Sequence, residues 1–179
     1  PQNIRWTYSD AKAIEEATAT ALHQSKGLKV TTIRFFNTVG PRQTGQYGMV
    51  VPRFVQSAIR NEDIKVYGDG NQTRVFCHVS DAISAVVRLA ETESTIGEVY
   101  NVGGIGELSI NGLAEKIISI TKSKSNIKHI PYDQAYPSGF EDMQRRVPDI
   151  SKIQSAVDWK PVKSLEDIIQ DVSDYFNSK

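Results

Sequence analysis

The chain has 179 residues, of which 39% are hydrophobic and 23% charged, as expected for an ordinary globular domain. Lysines and arginines total 21, as do aspartates and glutamates, so no basic field attracts nucleic acid or an anionic membrane. Cys77 is the single cysteine, which excludes an internal disulfide, and no apolar run approaches the length of a membrane span. The three histidines form no close ligand pattern with Cys77, so we expect no metal site. These features predict a cytoplasmic protein with no nucleic-acid or membrane partner.

The predicted elements alternate between helices and strands along the chain. A first helix over 8–25 is rich in helix formers and ends before Gly27, a residue suited to the left-handed position after a helix. A β-rich run at 28–37 has aliphatic and aromatic residues on both faces, as a central parallel strand does. The next predicted elements are a glycine-bearing loop at 43–48, a helix over 50–61, a strand from 64 that runs into a turn at Asp69-Gly70-Asn71, and a strand over 73–79. A helix with Ser80 as its N-cap, a strand over 97–104, a helix capped by Ser109, a strand over 126–133 and a loop over 140–152 follow. Two helices that begin near Asp149 and Ser164 end the chain, and Ser164 and Asp167 give the second a variant capping box. This alternation predicts an α/β chain with a parallel sheet.

The first helix carries a tyrosine four residues before a lysine, Tyr8-x-x-x-Lys12. Residues four apart share one face of a helix, so the phenol and the ammonium can lie side by side. A fixed cation next to a phenol favours the phenolate, which makes the tyrosine a usable acid and base. The pair alone is compatible with two interpretations, a reactive pair and an ordinary surface helix.

A glycine cluster near the middle of the chain is a weaker signal. Gly104-x-Gly106-x-x-Ser109 lies between a predicted strand and a predicted helix, as in a turn that binds a pyrophosphate. Its third position is a serine, which helix capping explains, and no acidic residue follows at a strand end about 20 residues later. We therefore interpret it as an ordinary glycine turn.

Four further stretches follow the Tyr8/Lys12 pair in order: RFFNTVGPRQ at 34–43, VVPRF at 50–54, VYGDGNQTRVFCHVSDA at 66–82 and RRVPDISK at 145–152. Together with the pair they resemble the carboxy-terminal part of the extended short-chain dehydrogenase/reductase family, the NAD-dependent nucleotide-sugar epimerases, dehydratases and decarboxylases. The resemblance covers essentially the whole chain.

The resemblance implies a role for ten residues. Tyr8 would be the acid and base for a sugar hydroxyl, and Lys12 its partner, which also holds the nicotinamide ribose. The other implied residues are Phe36 and Thr38 on the NAD side, Asn37 at the nucleotide sugar, Val50, Val66 and Tyr67 around the nucleobase, and Arg74 and Arg146 at the diphosphate. Guanidinium groups suit this last role because they bind phosphate oxygens through paired, charge-assisted hydrogen bonds.

The resemblance also implies the fold and the organisation of the chain. Residues 1–40 and 79–104 would form the carboxy-terminal part of a Rossmann-like parallel sheet, and 41–78 and 105–179 a small α/β nucleotide-sugar-binding domain. Only seven residues precede Tyr8, so the glycine-rich dinucleotide turn of this family lies outside the sequence. We expect a fragment of a longer enzyme that is inactive alone, with a homodimer formed through the helix over 8–25.

The expected activity is that of a UDP-sugar 4-epimerase, which acts with NAD through a keto-sugar intermediate. A 4,6-dehydratase or a decarboxylase is the alternative within the same family, because the residues that decide the outcome lie largely upstream. A non-catalytic module that binds a nucleotide or a partner protein is the alternative from another class.

Overall fold

The computed structural model describes residues 6–45, 49–135 and 142–179. Residues 46–48 of the predicted loop at 43–48, and residues 140–141 of the one over 140–152, lie outside the described residues. The described α-helices are α1 (Thr7–Lys26), α2 (Val50–Ile59), α3 (Val79–Glu91), α4 (Ile110–Thr121), α5 (Tyr132–Ala135), α6 (Ser151–Val157) and α7 (Leu165–Asn177). The described strands are β1 (Thr32–Phe35), β2 (Thr38–Val39), β3 (Ile64–Tyr67), β4 (Thr73–Arg74), β5 (Cys77–His78), β6 (Val99–Val102), β7 (Leu108–Ser109), β8 (Ile127–Ile130) and β9 (Arg145–Arg146).

The strands pair in four small groups. β1 pairs with β6, β2 with β5 and β3 with β8, all in parallel. β4 lies between β7, which is antiparallel to it, and β9, which is parallel. The predicted α/β class with parallel pairing is confirmed. No helix within the described ranges is long and apolar enough to cross a bilayer.

Two hydrophobic clusters hold these elements together. In the first, α2, α4 and α7 pack around β3, and Phe54, Leu113 and Ile169 are fully buried. The second joins α3 and β6 to α6 and includes Tyr100 and Trp159. Residues of α6 belong to the predicted nucleotide-sugar domain, but Ile153 packs in the second cluster because α6 lies against β6. α6 therefore packs against β6 of the predicted Rossmann-like part.

Local capping signals in the sequence are confirmed at three helix ends. Gly27 follows α1 with a φ of 65°, the left-handed conformation expected there. Ser109 caps α4, its hydroxyl accepting a hydrogen bond from the Gly112 N–H at 3.0 Å. Ser164 and Asp167 form a complete capping box at the start of α7.

The prediction of Ser80 as the N-cap of the third helix was wrong. His78 is the capping residue, and its Nδ1 accepts a hydrogen bond from the Ser80 N–H at 3.1 Å. The imidazole takes over the role because His78 is buried at the end of β5, two residues before the orphan donor that needs an acceptor.

The predicted long strands are shorter and interrupted. The run at 28–37 forms β1 and then breaks at Asn37, which has a φ of 39°, before β2 begins. The predicted strand over 73–79 splits because β4 pairs with β7 and β9, whereas β5 pairs with β2. The predicted strand over 126–133 is β8 followed by α5, and the predicted loop over 140–152 contains β9. Short strands of this kind depend on distant pairing partners, and local sequence does not encode them.

Gly104 of the glycine cluster has a packing role. A Cβ atom at this position would lie 1.8 Å from the carbonyl oxygen of Phe76, so the backbones approach too closely for any side chain. Gly106 has a φ of 84° and open space around it. The cluster is thus a turn that packs against the backbone just before β5.

Asp81 anchors the segment between α6 and α7. Its carboxylate is only 5% exposed, and Oδ2 accepts hydrogen bonds from the N–H groups of Val162 at 3.1 Å and Lys163 at 3.0 Å. The indole N–H of Trp159 donates to the Asp81 carbonyl at 3.1 Å. One buried residue therefore satisfies three donors of a segment that has no regular structure.

We predict that Asp81→Ala lowers the free energy of unfolding by about 2–3 kcal/mol, because two backbone N–H groups lose their acceptor. Urea denaturation followed by circular dichroism measures the change. Glu91→Ala, which removes an exposed carboxylate from the same helix, is the control and is expected to stay within about 0.5 kcal/mol of the parent. Equal effects of the two substitutions would contradict the anchoring role.

Candidate functional site

A cavity of about 670 Å³ opens between the first residues of α2 and the sheet formed by β4, β7 and β9. Its walls come from segments that are far apart in the sequence. Six of the ten predicted site residues line it: Asn37, Thr38, Val50, Tyr67, Arg74 and Arg146. The fold therefore brings most of the predicted site together.

The register of β4 and β9 determines which arginines face the cavity. Arg74 is the partner of Arg146, and Thr73 is the partner of Arg145. Successive side chains of a strand point to opposite faces of its sheet. Thr73 and Arg145 both contact the Glu107 carboxylate on one face, while Arg74 and Arg146 line the cavity on the other. The hydrogen bond from Arg145 is the largest cause of the lowered pKa of Glu107, and the hydrogen bond from Thr73 is the second.

Arg74 is buried and held in an ion pair. Its Nη2 lies 3.1 Å from Oδ1 of Asp142, and its Nη1 donates to the Thr73 carbonyl at 2.8 Å. Asp142 also accepts hydrogen bonds from the Met143 N–H at 2.9 Å and from the Tyr132 hydroxyl at 3.4 Å. This network fixes the guanidinium at the cavity wall.

Arg146 is positioned by Asn37. The guanidinium Nη2 of Arg146 donates to Oδ1 of Asn37, whose Nδ2 donates to the Val75 carbonyl at 2.7 Å. Asn37 has a positive φ, which asparagine tolerates better than most residues. The backbone conformation at the break between β1 and β2 thus orients the Asn37 side chain toward Arg146.

An aromatic side chain also lines the cavity. Tyr67 is half-buried there, and the Arg53 guanidinium carbon lies 4.3 Å from its ring centroid. Val50 lines the same cavity from the start of α2. Val66 does not, because β3 alternates and turns this side chain into the first cluster, where it is fully buried. The predicted wall is therefore formed by Tyr67 and Val50 without the Val66 side chain.

Several buried polar atoms belong to residues that line the cavity and make no hydrogen bond to any residue that the structure describes. They include Thr38 Oγ1, Gln43 Oε1, Arg53 Nε and Gln72 Oε1. Buried polar groups in native proteins are almost always hydrogen-bonded. Their concentration in one cavity indicates that a polar ligand or ordered water completes the site.

Tyr8 and Lys12 lie outside this cavity, on the exposed face of α1. The ammonium of Lys12 is 5.8 Å from the Tyr8 ring centroid, so the two share a face as their spacing predicts. The ammonium also lies 2.7 Å from the Glu15 carboxylate, and this hydrogen bond is the largest cause of the raised pKa of Lys12. Tyr8 is 73% exposed. The catalytic roles of both residues stay predictions.

Phe36 follows β1 and does not line the cavity. A Cβ atom on Gly103 would lie 3.0 Å from the Phe36 Cβ, so this residue packs beside the end of β6. Its role beside the nicotinamide stays a prediction. The same holds for the homodimer predicted through the first helix; α1 buries none of its own residues.

Sequence reasoning missed three residues of the site: Arg53, Gln72 and Asp142. Arg53 and Gln72 lie in stretches that resemble the family, and that resemblance could have pointed to them. Asp142 had no such signal, because its contact with Arg74 joins residues 68 positions apart.

The Cys77 thiol is buried. Burial, followed by the charge of Asp81, raises the pKa of the Cys77 thiol to about 12, which keeps it protonated and unreactive. Within the described ranges, no group of three or more histidine, cysteine, aspartate or glutamate side chains is arranged to hold a metal ion.

Comparison with known proteins shows the family of the chain. The GDP-mannose 4,6 dehydratase family matches residues 1–172. The chain belongs to this family. The resemblance to extended short-chain dehydrogenases/reductases, and the Rossmann-like α/β fold that it implied, are thereby confirmed.

The curated relatives include several decarboxylases. The chain is 40% identical over 174 residues to a UDP-N-acetyl-alpha-D-glucosaminuronate decarboxylase of Bacillus cytotoxicus, covering 97% of the chain and 54% of the relative. It is 35% identical over 177 residues to UDP-glucuronic acid decarboxylase 1 of Danio rerio, covering 99% of the chain and 40% of the relative. The chain thus spans about half, or less, of the length of these relatives.

Among solved structures, the chain is similar to a UDP-glucuronic acid 4-epimerase from Bacillus cereus in complex with UDP-glucuronic acid and NAD. The TM-score is 0.81 and the identity 26%, over 91% of the chain and 50% of the epimerase. Decarboxylases and epimerases of nucleotide sugars are therefore both relatives of this chain.

We predict that Asp142→Ala lowers the free energy of unfolding by roughly 3 kcal/mol, because it leaves the buried Arg74 charge without its carboxylate. The matched control is Glu107→Ala, which removes the carboxylate of the exposed Arg145 pair on the opposite face. It is expected to cost less than about 1 kcal/mol. Thermal or urea unfolding measures the free energy of unfolding of both variants. An equal loss in the two variants would contradict a larger contribution of the buried Arg74–Asp142 pair to stability.

Proposed function

We propose that the chain forms the nucleotide-sugar-binding part of an NAD-dependent enzyme that acts on a UDP-sugar through a keto-sugar intermediate. Decarboxylation of a UDP-uronate is the outcome we favour. The observation that carries the proposal is the pairing of Arg74 with Arg146 on the cavity face of one small sheet, in a cavity that Tyr67 also lines.

The two arginines suit a diphosphate for an electrostatic reason. Like charges directly opposite each other on neighbouring strands destabilise a sheet. Asp142 pairs with Arg74, and a diphosphate would bring negative charge to both arginines through charge-assisted hydrogen bonds. Tyr67 lines the same cavity and offers an aromatic surface for a nucleobase.

The residues on the NAD side fit the nicotinamide end of the cofactor. Thr38 has a buried hydroxyl that no described residue satisfies, and Tyr8 and Lys12 expose their polar groups on α1. When bound, NAD would supply the hydride acceptor. The chain would hold its ribose with Lys12, and Tyr8 as phenolate would take the proton from the sugar hydroxyl.

Two considerations favour decarboxylation over the epimerase outcome expected from the sequence alone. The relative with 40% identity is a decarboxylase, whereas the epimerase structure is 26% identical. A ketone at C4 of a UDP-uronate is β to the carboxyl group, so the bond to that group breaks readily and carbon dioxide leaves. Epimerisation stays the second candidate because the epimerase structure carries UDP-glucuronic acid itself.

We predict that Arg146→Ala weakens UDP binding to the 179-residue chain by roughly 1.5–3 kcal/mol, the range for hydrogen bonds to charged groups. Uridine, which lacks the diphosphate, should bind the variant and the parent almost equally. Isothermal titration calorimetry with both ligands measures the difference. Arg145→Ala is the control, because Arg145 faces Glu107 on the other side of the sheet.

A loss that is equal for UDP and uridine would refute the diphosphate role of Arg146. An equal loss of UDP binding in the Arg145 control would show that net charge, and not position, governs the affinity.

We predict that a complete enzyme containing this chain releases carbon dioxide from UDP-glucuronate and forms a UDP-pentose, detected by mass spectrometry. Tyr8→Phe should lower the rate about 10²–10⁴-fold, because a general acid and base is lost. Tyr175→Phe on α7 is the control and should leave the rate unchanged. A product with the mass of the substrate would favour epimerisation, and a loss below threefold would remove Tyr8 from the mechanism.

A further inference from the structure

A second cavity, of about 420 Å³, lies between α2, the turn at 42–45 and the end of α7. Its volume falls in the range of small-molecule sites, about 300–1,000 Å³. Gln43 and Arg53 line both this cavity and the first one, so they form part of the wall between the two. A Cβ atom on Gly45 would lie 3.3 Å from Nε2 of Gln56 and 3.5 Å from Cα of Arg53. The turn therefore packs closely against α2 and gives the second cavity a firm boundary.

The walls of the second cavity carry an excess of positive charge. Arg42, Arg53 and Arg60 line it together with Lys179, and Glu62 is the acidic residue among the lining residues that the structure describes. The chain as a whole has equal numbers of cationic and anionic side chains, 21 of each. Clefts lined by one sign of charge concentrate ions of the opposite sign. The second cavity is therefore a place where this electrically balanced chain attracts anions.

Arg42 and Arg60 are accessible to a ligand in the second cavity. Both residues are exposed, and neither side chain makes an ion pair or a hydrogen bond with a residue in the described ranges. Arg42 has a φ of 72°, a left-handed conformation that arginine rarely adopts. The next residue anchors the turn, because Nε2 of Gln43 donates to the Thr38 carbonyl at 3.1 Å. Rare backbone conformations of this kind cluster at functional sites.

We propose that the second cavity binds a diphosphate group, either free or as part of a nucleotide, through Arg42 and Arg60. Guanidinium groups bind phosphate oxygens through paired, charge-assisted hydrogen bonds, and two of them can engage the two phosphates of one ligand. A diphosphate carries about three negative charges at neutral pH, which the cations of the walls would neutralise. Ser57 lines the same cavity and adds a neutral donor. The proposal is independent of the proposed function, because Arg74 and Arg146 line the first cavity and not the second.

Titration of the 179-residue chain with sodium pyrophosphate, followed by NMR of the arginine Nε–H groups, tests the proposal at the residues concerned. The signals of Arg42 and Arg60 should shift and saturate together, with a dissociation constant of about 1 mM or below. A second titration with ADP should shift the same two signals and identifies the source of the diphosphate. Tighter binding of ADP assigns the site to a nucleotide, and equal or weaker binding of ADP assigns it to a free diphosphate.

Three charge variants test the position of the site. Arg60→Gln, observed at the Arg42 signal, should weaken pyrophosphate binding at least about threefold, because one of the two guanidinium groups is lost. Arg42→Gln, observed at the Arg60 signal, should do the same. Lys26→Gln is the matched control, since it removes one exposed positive charge from α1, which does not line this cavity. It should leave the dissociation constant within about twofold of the parent value.

Arg146→Ala separates the two cavities, and the saturable shifts of Arg42 and Arg60 should persist in this variant. If they disappeared, pyrophosphate would be bound in the first cavity and the proposal would be overturned. Shifts that do not saturate and spread over all exposed arginines would overturn it as well, because they indicate general ionic screening. Unchanged affinity in both Arg42→Gln and Arg60→Gln would also contradict it. Circular dichroism melts check that each variant folds, and if one of these two does not, the other supplies the result.

Discussion

The parallel pairing of β4 with β9 is the constraint on which the candidate site depends. It joins two-residue strands whose centres are about seventy positions apart, and its register sets Arg74 beside Arg146. A shift of β9 by one residue would turn Arg145 to the cavity in place of Arg146. Glu107 on one face and Asp142 on the other hold that register, since each accepts from an arginine of its own side. The charge of the cavity is thus a consequence of strand pairing.

The proposed reaction needs two groups of residues that the structure keeps apart. The cavity gathers the residues for a nucleoside diphosphate, while Tyr8 and Lys12 stand on α1, whose residues are not buried. Glu15 is the immediate partner of the Lys12 ammonium. The Glu15 carboxylate and the Tyr8 phenol both lie near the Lys12 ammonium. A bound ligand that broke the Lys12–Glu15 hydrogen bond would strengthen the interaction between Lys12 and Tyr8.

Sequence reasoning succeeded where the cause is local and failed where it is distant. Gly27, Ser109 and the Ser164 capping box follow from residues within one helical turn, and all three are confirmed. The capping of α3 by His78 in place of Ser80 depends on the burial of a strand end, which the sequence does not reveal. In the site, the family stretches pointed to Arg74 and Arg146, which line one cavity, but the Asp142 that fixes Arg74 comes from a long-range contact with no motif of its own.

The most direct test of the account is a crystal structure of the chain with UDP-glucuronate. The account predicts that the diphosphate lies between the guanidinium groups of Arg74 and Arg146, with the uracil against Tyr67. A ligand bound outside this cavity, or a diphosphate that touches neither arginine, would contradict it.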